Sequence, residues 1–300
     1  MQDFRPLKKD ELEDCILTKE PSLSYFTRSW KKFKKNGPAL CACAFLLLLF
    51  IMALIGPLFS PYTYYDIHLP LKNSPPNSQF WFGTDELGRD IFCRIWWGAR
   101  ISLTVGILAS LIDMCVGVCY GAFVAFKGGL LEEILMRVAD IAHSIPYLLI
   151  VILLTVLIGS GIHTILIALT VTGWIPMARI VRGQVLQIKQ MDYMTAARAL
   201  GASSKRLMFY HLIPNCLASI VTTVTFTIPS AIFAESFLSF LGLGIQSPVA
   251  SWGTMASDGL PALTYFPWRL LFPAIFISLT MLSFNLIGDG LRDAFDPKLK

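Results

Sequence analysis

Two acids stand in stretches that are otherwise free of charge, and they are the first residues whose type and place could do chemistry. Asp113 lies within an apolar run at 101–126, and Glu235 lies at the end of another at 215–234. A carboxylate in mid-membrane costs about 3 kcal/mol on insertion scales, so it marks a cavity or a partner. The four histidines, His68, His143, His163 and His211, form no H-x-x-H or H-E-x-x-H pattern. None of the seven cysteines forms a C-x-x-C pair, so no metal site is expected. Cys41, Cys43, Cys115, Cys119 and Cys216 fall in or beside apolar runs and read as small buried hydrophobes. Cys15 lies in the N-terminal tail, and Cys93 falls in a segment read as external. No Ser/His/Asp set has a motif context. The phosphate-binding pattern G-x-x-x-x-G-K-[ST] is absent, so any ATP hydrolysis belongs to another chain. Gly242-Leu243-Gly244 reads as a turn.

The elements that must position these residues are membrane spans. The chain has 300 residues, 55% of them hydrophobic and 15% charged. Soluble domains carry about 25% charged residues. The net charge of +5 is segregated by loop, which is a topology signal rather than a mark of nucleic-acid binding. Residues 1–38 form a polar tail ending in Lys31, Lys32, Lys34 and Lys35, a membrane-edge anchor. No cleavage site follows the first apolar run, which is expected to be retained. That run, 39–60, is long enough for one crossing. Residues 61–100 form an external excursion, proline-rich at first, then expected from Asp85 onward to be a short surface helix with Trp96 and Trp97 at the interface.

A five-helix core follows at 101–290. Its second span covers 101–126, and 130–143 reads as an interfacial helix or as the entry to the next span. No charge occurs from Ser144 to Ala178, and Gly159-Ser160-Gly161 divides that run into a tight hairpin of spans three and four. These helices must begin inside the preceding amphipathic segment to reach full length. Span five covers 215–234, span six 270–287, and 291–300 is a tail. Placing the N-terminus inside puts 1–38, 127–140, 179–213 and 290–300 in the cytoplasm. They hold nine, two, six and three of the 25 Lys and Arg. The outer segments hold only Lys72, Arg89, Arg94, Arg100 and Arg269. The asymmetry gives cytoplasmic termini.

The segment 179–213 is a basic island between spans, and the stretch from Asp192 reads as an elbow. Tyr193–Leu200 is expected to be helical, stopped by Gly201. Ser203 or Ser204 caps a second helix, and Pro214 opens the next span. Ala196, Ala197 and Ala199 give the first helix a small-residue surface for a partner.

The elbow resembles the signature of permease subunits of ABC importers: E-A-A, three residues, Gly, nine residues, then I-x-L-P. Here it runs Thr195-Ala196-Ala197, Gly201, Ala202 onward to His211, then Ile213 and Pro214. FGTDELGRDIFCRIWWGARISL (82–103), SFLSFLGLGIQSPVASWGTM (236–255) and the ending GDGLRDAFDPKLK are similar to the "C"-type subunit of dipeptide and oligopeptide importers. The resemblance covers about 25–300. It implies an all-α membrane protein with six transmembrane helices, the type I ABC importer permease fold and a cytoplasmic coupling helix, in a bacterial inner membrane. It implies a non-catalytic subunit with no cofactor of its own, partnered by a homologous permease, two cytoplasmic ATPases that bind ATP and Mg, and an external binding protein. Asp192, Thr195, Ala196, Ala197, Gly201, Ala202 and Pro214 are then the ATPase-docking residues. Asp113 and Glu235 would line the peptide path; the alternatives are an interhelical structural bond or, for Glu235, simple exposure at the interface. Thr195 and His211 replace the usual Glu and Ile. If Asp192 caps the helix, Thr195 is its third residue and forgoes half of a capping box, which puts an ion pair from position 195 in doubt. Nickel and other solute importers share this subfamily. An intramembrane enzyme built on Asp113, or a stand-alone channel or secondary transporter, would not need the elbow.

Overall fold

The computed structural model describes residues 25–295, and all of the regular elements among them are helical. The N-terminal tail before Tyr25 and the last five residues lie outside the described residues. A short helix α1 (Tyr25–Phe33) precedes α2 (Gly37–Ile55), whose first turn is capped by Asn36, with Pro38 in that turn. A largely irregular segment then runs to Asp90. Helix α3 (Ile91–Lys127) and helix α4 (Gly129–His143) meet at Gly128, where φ is +70°. Helices α5 (Tyr147–Ile158) and α6 (Ile162–Lys189) follow. The elbow contains α7 (Asp192–Ala199) and α8 (Ser204–Arg206), and a π turn (Leu207–Leu212) leads into α9 (Ile213–Phe240). Helix α10 (Trp252–Gly259) and helix α11 (Trp268–Phe295) complete the described chain.

Five of these helices are long and apolar enough to cross a membrane. The pair α4–α5 meets the same criterion only jointly and bends by 73° at the break, the shape of a broken span or a re-entrant loop; counted as one span it brings the number to six. The hairpin of spans three and four therefore has an asymmetric form. Its first limb begins at Gly129, inside the amphipathic segment, and breaks before Tyr147. Pro146 explains the break: it fixes its own φ and disfavours helical backbone at Ile145. Gly159 and Gly161, both at positive φ, turn the chain into α6.

The expected separate surface helix from Asp85 is absent. Asp85–Asp90 is a turn, and the helix from Ile91 continues for 37 residues through the second span. The boundary at residue 100 falls inside α3. Asp90 caps α3 by accepting from the backbone N–H of Phe92 and Cys93. The amphipathic look of 91–100 has a packing cause. Ile91, Ile95 and Trp96 are buried against α2, α10 and α11. Trp96 meets Phe276 edge to face, and Trp97 stacks on Tyr64 at 4.6 Å.

Helices α3 and α6 pack most closely, because small residues let the backbones approach. A Cβ at Gly117 would lie 2.7 Å from Met177, and one at Gly121 would overlap the carbonyl of Ala178. Cys216 is buried as expected; Cys93, read as lying in an external segment, is buried in the first turn of α3, and Cys41, Cys115 and Cys119 are exposed on apolar helices.

Candidate functional site

The elbow is assembled at the shared end of α3, α6 and α9. Lys189 closes α6 and donates from Nζ to the carbonyls of Ala125 and Phe126, at 2.8 and 3.2 Å. Those carbonyls belong to the last turn of α3 and lack helical donors. Helix α7 begins at once, with Met191 in the N-cap position and no side-chain cap. Asp192 is thus the first helical residue rather than the cap, and Thr195 is the fourth. The backbone turn at Met191 leaves no place for the expected capping box, so the departure at Thr195 costs nothing there. Asp192 retains a favourable charge in the first turn.

The C-terminal end follows the expectation closely. Gly201 has φ +81°, a conformation that costs other residues roughly 1–2 kcal/mol. Its N–H donates to the carbonyl of Arg198, and the N–H of Ala202 donates to that of Ala197. This pair of bonds is the Schellman arrangement. Ser203 then caps α8, its Oγ accepting from the N–H of Arg206. Pro214 is in the first turn of α9, where its missing N–H is harmless.

Burial divides the expected docking residues into two sets. Ala197 and Ala202 turn inward, against a cluster containing Met194, Leu207, Leu212 and Cys216. Asp192, Thr195, Ala196, Gly201 and Pro214 are exposed. Leu200 is 88% exposed and Tyr210 76%. Met194, fully buried, anchors α7 to α3, α6 and α9 and was not singled out by the sequence. Its only sequence signal is an apolar residue inside a polar island.

The two acids are brought neither to the elbow nor to each other. Asp113 is buried between α3 and α6, and its Oδ1 has no hydrogen-bond partner. Gly173 of α6 leaves the space the carboxylate fills; a Cβ there would overlap it. Glu235 is fully buried, so exposure at the interface is excluded. Its Oε2 accepts from Ser102 Oγ at 2.8 Å and its Oε1 from Ser239 Oγ at 2.9 Å. The Ser102 hydroxyl is also within reach of the Trp252 N–H, at 3.4 Å. Glu235 therefore joins α3, α9 and the start of α10 as an interhelical bond.

The segment between α2 and α3 holds a second polar cluster. Asp85 accepts from the N–H of Leu87 and Arg89 and pairs with Arg89 Nε at 2.6 Å. Arg94 approaches the same carboxylate at 3.6 Å, and both arginines lie 3.7 Å from Asp258 of α10. Burial pushes the Asp258 carboxyl up, and Arg94 and Arg89 pull it back. Arg269 of α11 pairs with Glu86 at 3.0 Å and donates to the carbonyl of Asp258. The T-D-E-L-G-R-D segment is thus a turn that locks the excursion onto α10 and α11. Among the described residues no three His, Cys, Asp or Glu converge in a way that could hold a metal ion.

Residues 117–300 match the family model described as "Binding-protein-dependent transport system inner membrane component". Residues 24–76 match "N-terminal TM domain of oligopeptide transport permease C". The chain is 54% identical over 295 residues to the dipeptide transport system permease protein DppC of Bacillus subtilis (strain 168), covering 98% of this chain and 92% of that one. It is 54% identical over 287 residues to the oligopeptide transport system permease protein OppC of the same strain, covering 96% and 94%. Among solved structures, the MetNI methionine ABC transporter in inward-facing conformations superposes with a TM-score of 0.56 at 17% identity, covering 66% of this chain and 94% of that chain. This likeness concerns the fold, that of type I ABC importer permeases. Taken with the near full-length identity to the two permeases, these matches mean that the chain belongs to the family of binding-protein-dependent transport system inner membrane components.

Proposed function

We propose that this chain is the non-catalytic permease subunit of an ATP-driven peptide importer, with its elbow as the ATPase-docking segment. The observation that carries the reading is the α7 elbow itself. A short helix ends in a glycine-closed Schellman turn, is anchored by buried Met194, and leaves Thr195, Ala196, Gly201 and Leu200 exposed at the shared end of α3, α6 and α9. A loop that only connected spans would not need a buried anchor and an exposed leucine. Docking here rests on shape around Ala196, Leu200 and Gly201, not on a carboxylate at position 195. ATP and Mg belong to two partner ATPases. A homologous permease completes the path, and an external binding protein delivers the cargo.

The charge asymmetry of the loops supports cytoplasmic termini and a cytoplasmic elbow. Di- and oligopeptides are the cargo class favoured by the names of the relatives at 54% identity. Nickel import by the same architecture is the second reading. The described residues offer no cluster of ligands for that ion, but an importer's cargo selectivity can reside in its external binding protein. Uptake into proteoliposomes containing all subunits separates the two. ATP-dependent accumulation of labelled dipeptide, unaffected by excess nickel, is expected. Nickel accumulation without peptide uptake would overturn the cargo assignment.

A further inference from the structure

Helix α1 lies on the ends of two spans with a basic surface turned outward. It carries Arg28, Lys31 and Lys32, and Lys34 and Lys35 follow directly. Arg28, Lys31, Lys34 and Lys35 are exposed. Among them Trp30 is 56% exposed, with Lys34 Nζ 5.5 Å from its ring centroid. The opposite side is packed. Phe33 is buried against Ala39 of α2 and Ala294 of α11. Gly290 makes this approach feasible, since a Cβ there would lie 2.6 Å from Ala39 Cβ and 3.2 Å from the Phe33 ring. Asn36 caps α2 only three residues after α1 ends, its side chain accepting from the Ala39 N–H at 3.1 Å. The height of α1 above the apolar part of α2 is therefore fixed.

A merely solvated basic helix has no need of an exposed indole, and a protein-facing helix has no need to be fixed at the edge of a span. Indole and ammonium groups together at that level complement a negatively charged membrane surface. We propose that α1 binds the headgroups of anionic phospholipids, and that this holds together the ends of α2 and α11 through Phe33 and Gly290. The proposal is independent of the cargo and of the elbow.

The test uses the full chain in nanodiscs that mix phosphatidylcholine with brominated phosphatidylglycerol, or the converse. The Trp30 signal is the difference between the wild type and Trp30→Phe. Brominated phosphatidylglycerol should quench it more strongly than brominated phosphatidylcholine, with or without the other transporter subunits. Lys31→Gln with Lys34→Gln should raise the phosphatidylglycerol fraction needed for half-maximal quenching severalfold. Added salt should weaken the preference in the wild-type chain, which keeps the test decisive if the double variant does not fold. Equal quenching by the two lipids, or a preference indifferent to salt, would overturn the proposal. So would a Trp30 signal that changes only when the ATPase subunits are added, because the occupant would then be a protein.

Discussion

A fully buried carboxylate is tolerated when enough donors converge on it, and Glu235 has the hydroxyls of Ser102 and Ser239. Replacing it by alanine removes the acceptor and leaves those hydroxyls buried without it, at a cost of roughly 1–3 kcal/mol. Glu235→Gln keeps an acceptor oxygen and should lose less. Thermal unfolding in nanodiscs gives the order, and a Gln variant as unstable as the Ala variant would contradict the bonding role. Asp113 differs, being held by space rather than by bonds. Gly173→Ala should destabilise by about 1–3 kcal/mol, because the added methyl meets the carboxylate. Adding Asp113→Ala should recover part of that loss, read as a coupling of more than about 0.5 kcal/mol in a double-mutant cycle. Additive losses would mean that the two sites do not meet. The sequence exposes both acids by their depth in apolar runs. It hides the difference between them, because the partners come from other helices far along the chain.

Element boundaries were legible wherever local chemistry decides them. Gly201, Ser203 and Pro214 each do at the elbow what their residue types dictate: backbone freedom at positive φ, a capping hydroxyl and a missing N–H. Asp192 fails as a cap because the backbone turn at Met191 already starts the helix. The segment 85–100 departs from its expected form for a tertiary reason. The apolar and charged residues of 85–100 alternate as on a surface helix, yet Asp85 and Arg94 are buried together under α10. Asp85→Asn should therefore be severe, about 3–5 kcal/mol, since it strips a buried carboxylate from Arg89 and Arg94. Glu86→Gln, at a carboxylate 53% exposed, should cost no more than about 1 kcal/mol. The two variants are compared by thermal unfolding, and equal effects would contradict the locking role of the turn.

For the molecule as a whole, composition sufficed to give a membrane protein and the apolar runs its spans, while the all-helical permease fold came from the family resemblance. The number of crossings depends on the bend before Tyr147, which a count of apolar residues cannot supply. The face proposed for docking also needed the fold, because Ala196 and Ala197 are adjacent in sequence but only Ala196 is exposed. That difference gives the central claim its cleanest variant. Ala197→Asp would set a charge on the half-buried side, against the cluster around Met194, whereas Ala196→Asp alters the exposed face alone. The decisive measurement is peptide-stimulated ATPase activity of the reconstituted transporter carrying Ala196→Asp, with unfolding temperature as the control. Stimulation should fall to the basal level while the unfolding temperature stays at the wild-type value. Stimulation equal to that of the wild type would contradict docking through this helix.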